Sequence, residues 1–170
     1  SQCLNYGIVS GNTYVGGITG HGFMSTCTNH GNVNGVKYVG GLTGYNKDRG
    51  GYSNYGSNYG DIKGETYVGG CAGILSNAYD LKISALHNSG KVEGVTNTGG
   101  IAGNASCTGS KKNGTISNCT NTGDVTGEEN TGGLVGSLNI STSSSMTITN
   151  TSNSGIITGK TNVGQLYGLA

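Results

Sequence analysis

A sixteen-residue frame recurs six times along this chain, and it restricts the fold more than any other feature. The frame reads N-x-G-x-[VI]-x-G-x-x-x-[VT]-G-G-[LIC]-x-G, at residues 5–20, 29–44, 58–73, 88–103, 121–136 and 153–168. One template position departs: Gln165 stands where the other five units have the second Gly of the pair. The starting Asn residues are 24, 29, 30, 33 and 32 residues apart, so all length variation lies between one frame and the next. A constant frame with a variable connector is the signature of a stacked solenoid.

The apolar positions repeat in phase. Four residues after the Asn stand Val9, Val33, Ile62, Val92, Val125 and Ile157. Thirteen after stand Ile18, Leu42, Cys71, Ile101, Leu134 and Leu166. A helix needs apolar residues three and four apart over ten or more positions, and each interior Gly costs it about 1 kcal/mol. Short strands broken by Gly and Asn fit better. The expectation is an all-β chain wound as a parallel, right-handed β-solenoid or β-helix of six coils, with three short strands per coil. At about 4.8 Å per coil the stack is on the order of 30 Å long.

Columns of equivalent positions support stacking in register. Three residues after the Asn, Lys91 falls between Asp61 and Asp124; five after, Lys63 falls beside Glu93. Opposite charges across a ladder are favourable by a few tenths of a kcal/mol. The Asn column itself suits side-chain amides bonded from coil to coil.

Composition narrows the function classes. Gly supplies 35 of 170 residues and Pro none, which is not a collagen pattern. Net charge is +1 with no basic cluster, so there is no electrostatic footprint for nucleic acid. No run of eighteen apolar residues reads as a membrane span in this segment. Residues 1–170 read as one repeat domain, a fragment of a longer protein.

Gly-Gly-Ile-Thr-Gly at 16–20, Gly-Gly-Leu-Thr-Gly at 40–44 and Gly-Gly-Cys-Ala-Gly at 69–73 resemble the GLUG repeat of bacterial surface proteins, as do 99–103 and 132–136. With the upstream Asn-x-Gly-x-Val-x-Gly, the resemblance covers nearly the whole chain. It implies a secreted or cell-surface location. It also implies a non-catalytic module of the kind that accompanies large adhesins and some immunoglobulin A-cleaving metallopeptidases.

Eight of ten Tyr lie within residues 1–67. Nine after the Asn, the column reads Tyr14, Tyr38, Tyr67, then Asn97, Asn130, Asn162. Tyr6 and Tyr59 share another column with His30 between them, and Tyr45, Tyr52 and Tyr55 fall in the second connector. One reading makes Tyr14, Tyr38, Tyr67, Tyr6 and Tyr59 a ligand-binding stripe for a host glycan or a matrix or cell-surface protein. The plainer reading is that stacked rings stabilise neighbouring coils.

Catalysis and metal binding have weak signals. His21, His30 and His87 are scattered without H-E-x-x-H, no CxxC pair exists, and no cofactor is implied. Asp61 and Asp124 with Lys91 between them make a poor acid/base pair. Cys3, Cys27 and Cys119 take equivalent inward positions; Cys3 and Cys27, one coil apart, approach bridging distance but run parallel. Cys107 falls in a long connector and reads as the most reactive thiol. Segments 74–82, 104–115 and 137–147 read as loops on one edge, for recognition or as tolerated insertions, with 141–145 mobile.

Overall fold

The computed structural model describes residues 2–22, 25–48, 55–77, 80–109 and 112–170. The described residues form only strands, turns and bends. Four sheets each hold six strands, one strand from each repeat, and every strand pair is parallel. The chain is a six-coil parallel β-solenoid.

One coil shows how the frame folds. Sheet A takes Cys27–Asn29, sheet B Val33–Asn34, sheet C Lys37–Gly40 and sheet D Thr43–Asp48. Each coil therefore carries four strands, not the three expected. The extra strand arises at the Gly-Gly pair, which breaks what reads in sequence as one run into sheets C and D. A fifth sheet of three strands, Leu81–Ser84, Asn113–Ser117 and Ser145–Thr149, precedes coils four, five and six.

That fifth sheet corrects the reading of the connectors as loops. Residues Ala72–Asn77, Ala102–Cys107 and Val135–Ile140 continue sheet D in strict register, Ile74 opposite Asn104 and Asn104 opposite Ser137. The longer intervals are absorbed by an added strand rather than by a protruding loop. The expected mobile segment is a turn at Thr142 and Ser143, held by bonds of the Ser141 and Ser144 hydroxyls to the Gly109 carbonyl, and Ser145 already begins a strand.

Two apolar clusters fill the coil. One, from sheets A and D and the fifth sheet, includes Leu42, Cys71, Ile101 and Leu134 with Leu75, Ile83, Leu86 and Ile116. The other, from sheets B and C, is built from Val15, Val39 and Val68 against Val33, Ile62, Val92 and Val125. A polar seam runs where sheet A ends and the Gly-Gly pairs pass. There the amides of Asn29, Asn58, Asn88 and Asn121 are fully buried. From Asn5 to Asn121 each Asn donates to the carbonyl two residues on and to the Asn of the next coil, at 2.7–2.8 Å, and Asn153 accepts the last of these bonds. Burial of an amide is costly unless each donor and acceptor is paired, and this ladder pairs them. Only Gly fits beside it: a Cβ on Gly41 or Gly70 would run into the neighbouring Asn and the next coil's backbone.

Candidate functional site

The most distinctive surface lies on sheet C of the first three coils. Tyr14, Tyr38 and Tyr67 occupy one column, and each holds a left-handed backbone with φ of 55°, 58° and 56°. The same column in coils four to six holds Asn97, Asn130 and Asn162 at φ of 56°, 54° and 52°. Asn tolerates this region because its short polar side chain bonds locally, whereas a bulky residue there carries a cost. The Asn half forms a second amide ladder, Asn162 to Asn130 at 2.7 Å and Asn130 to Asn97 at 2.9 Å. The Tyr half forms a ring stack, with centroids 4.9 Å apart for Tyr14–Tyr38 and 5.4 Å for Tyr38–Tyr67.

Two residues outside the expected set join this corner. His21 and Tyr45 are register partners on sheet D, with ring centroids 5.1 Å apart. Tyr45 leans on Tyr14 at 5.7 Å and Tyr38 at 5.9 Å, and His21 meets Tyr14 edge-on. Burial, and then the neighbouring Tyr14 and Tyr38, push the Tyr45 hydroxyl above its ordinary value. The Lys37 ammonium lies 4.9 Å from the Tyr38 ring centroid, within cation–π range. His21 and Tyr45 stand sixteen residues after their Asn, one place beyond the template. Extending the frame by one residue places the two in a column of their own, which continues through Ile74, Asn104 and Ser137.

Tyr6 and Tyr59 belong to a different column, at the turn between sheets A and B. His30 is sandwiched between them, 4.8 Å from Tyr6 at 3° and 4.9 Å from Tyr59 at 10°. His87 lies in a different column, as the register partner of Ser57, and meets Tyr59 at 5.9 Å with the rings tilted by 60°. In both stacks the inner ring faces are covered by the neighbouring coil. Tyr6, 71% exposed, and Tyr14, 44% exposed, keep their outer faces toward the first end of the solenoid. Tyr55 is exposed, and Tyr52 lies outside the described residues.

The charged groups also act between coils. Asp61 accepts the Lys91 backbone N–H at 2.9 Å, and Asp124 accepts that of Ile156 at 2.9 Å. The Lys91 ammonium turns instead to Glu93, which Lys63 approaches at 3.6 Å. That hydrogen bond draws the Glu93 carboxyl below its ordinary range and raises Lys91. The neighbours in the charged column are as expected, but Lys91 takes its partner from the adjacent column.

The cysteines correct one expectation and refine another. Cys107, expected in a loop, is fully buried on sheet D, because Ala105 and Cys107 pack inward as small apolar residues. Cys3 and Cys27 are register partners without a disulfide; Cys3 is exposed at the end of the stack and Cys27 is buried. Burial is the first cause that raises the thiols of Cys27, Cys71 and Cys119.

Comparison of this chain with family models, with curated proteins and with solved structures found no match.

Proposed function

We propose that this domain is a non-catalytic structural and adhesive module of a secreted or cell-surface bacterial protein, of the GLUG-repeat kind that its sequence resembles. It holds the flanking domains of the same polypeptide apart and presents a repeating surface. One observation carries this reading: the groups that elsewhere do chemistry are engaged between coils. Asn5 to Asn153 bond one another. Asp61 and Asp124 bond the next coil's backbone. His21, His30 and His87 lie in ring contacts. A side chain held this way supports a rigid rod.

A second reading is a carbohydrate-binding module that also meets host matrix or cell-surface protein. The three tyrosines held at positive φ favour it. Backbone strain kept where Asn would relieve it points toward a role beyond folding. A binding screen against host glycans, mucin and matrix proteins separates the two, with the Tyr14→Asn/Tyr38→Asn/Tyr67→Asn variant alongside. The scaffold reading expects the variant to behave like the wild-type chain in every well. Binding lost in a folded variant overturns it in favour of the glycan-binding corner.

A further inference from the structure

Gln165 aligns with Gly17, Gly41, Gly70, Gly100 and Gly133. At each of those glycines an added Cβ would lie within 2.6 Å of the ladder Asn of the following coil, and as close or closer to that coil's backbone carbonyl. A backbone atom cannot move aside, so this position must be Gly wherever another coil follows in register. In coil six it is Gln. The side chain also does something specific: its Oε1 accepts the Asn153 Nδ2 hydrogen at 3.0 Å. In the preceding coils that donor goes to the next Asn, as Asn121 does to Asn153 at 2.7 Å. Gln165 thus fills the seat of a seventh ladder amide and satisfies the donor that the ladder leaves at its end.

The two end faces are otherwise matched for head-to-tail continuation. Coils one and six derive from the same frame, so within residues 1–170 the outer strand edges of coil six are complementary to those of coil one in a second copy. The column that is polar through Asn32, Asp61, Lys91 and Asp124 begins and ends in isoleucine, Ile8 at 74% and Ile156 at 70% exposure. Leu166 and Val163 are also exposed on the last coil. A contact that repeats head to tail without closing grows fibres. We propose that Gln165 is an assembly stop: its Cβ bars the first coil of a second copy from continuing the stack, and its amide caps the Asn ladder.

The test compares the wild-type chain with Q165G and Q165A by sedimentation velocity. Q165G opens the seat and is expected to shift from monomer to dimers and longer species. Q165A keeps the Cβ and is expected to remain as monomeric as the wild type. Q165G matching the wild type while folded overturns the proposal, as does Q165A associating as readily as Q165G. Side-chain exchange of the Asn153 amide in the wild type and Q165A supplies a second readout, which decides the matter if Q165G does not fold. Loss of one neutral hydrogen bond is expected to speed exchange by up to about tenfold in Q165A. Unchanged exchange overturns the cap.

Discussion

Asn58 donates its Nδ2 hydrogen to Oδ1 of Asn88 at 2.7 Å across 30 residues of sequence. Both amides are fully buried, and the contact repeats down the stack. Asn88→Ala removes the acceptor for Asn58 and the donor to Asn121 and to the Gly90 carbonyl. Leaving buried polar groups unpaired costs about 1–3 kcal/mol each. Urea unfolding is expected to show Asn88→Ala less stable by about 2–4 kcal/mol, while Asn5→Ala, at the end of the ladder, loses less than about 1 kcal/mol.

The sheet C column separates residue types by backbone alone. At Tyr38, φ is 58°. A β-branched side chain is a genuine outlier there, whereas Asn is accommodated. Both Tyr38→Asn and Tyr38→Val lose the two ring stacks. Thermal unfolding is therefore expected to rank the Asn variant above the Val variant by about 1–2 kcal/mol. Equal stability of the two would contradict the left-handed assignment.

Thr98 and Thr131 are register partners, fully buried, and their hydroxyls have no hydrogen-bond partner. The same column holds Val15, Val39 and Val68 in the first three coils. Thr98→Val and Thr131→Val keep shape and remove an unpaired hydroxyl. Each is expected to raise stability by about 1 kcal/mol in chemical unfolding, given the cost of burying a lone hydroxyl. Destabilisation by either would show that the hydroxyl has a partner.

Burial pushes the Cys119 thiol from 9.0 to about 11. The folded state therefore holds this proton more tightly than the unfolded chain. The associated stability is complete below pH 9 and is lost as pH rises from about 9 to about 11. At about 1.4 kcal/mol per pH unit the loss is on the order of 2 kcal/mol. Unfolding at pH 8 and pH 11 is expected to show that drop in the wild-type chain and a smaller one in Cys119→Ala. Thiol labelling of the folded chain near neutral pH is expected to modify Cys3 first, since the other four are buried.

Which features the sequence reveals follows from the solenoid's geometry. The Asn ladder and the Lys63–Glu93 pair lie inside the constant frame, so aligning the six units places them directly. The fourth strand begins inside the frame just after the Gly-Gly pair but runs on, like the fifth sheet, into the segments whose length varies, and there the apolar residues of Ala102–Cys107 are only two alanines and a cysteine, too small to mark a core strand. Every residue of that strand is buried, including Asn104 and Ser106. Backbone pairing to both neighbouring coils holds it, and Ala102, Ala105 and Cys107 join the core. The left-handed column had one readable signal, the exchange of Tyr for Asn at equivalent positions. Its meaning depends on φ, which no residue spacing encodes.

The central claim is that the coils stack in register as one rod. Spin-label distances test it most directly. One label is fixed at Ser10 in a Cys3→Ser background, and the second is moved down the exposed face of sheet B through Lys63 and Glu93 to Thr126 and Thr158. Ser10 stands over Asn34, then Lys63, Glu93, Thr126 and Thr158. The distance is expected to grow by about 4.8 Å per coil and to reach about 24 Å at Thr158. Distances that fail to increase with coil number would contradict the stack and, with it, the rod-like module built on it.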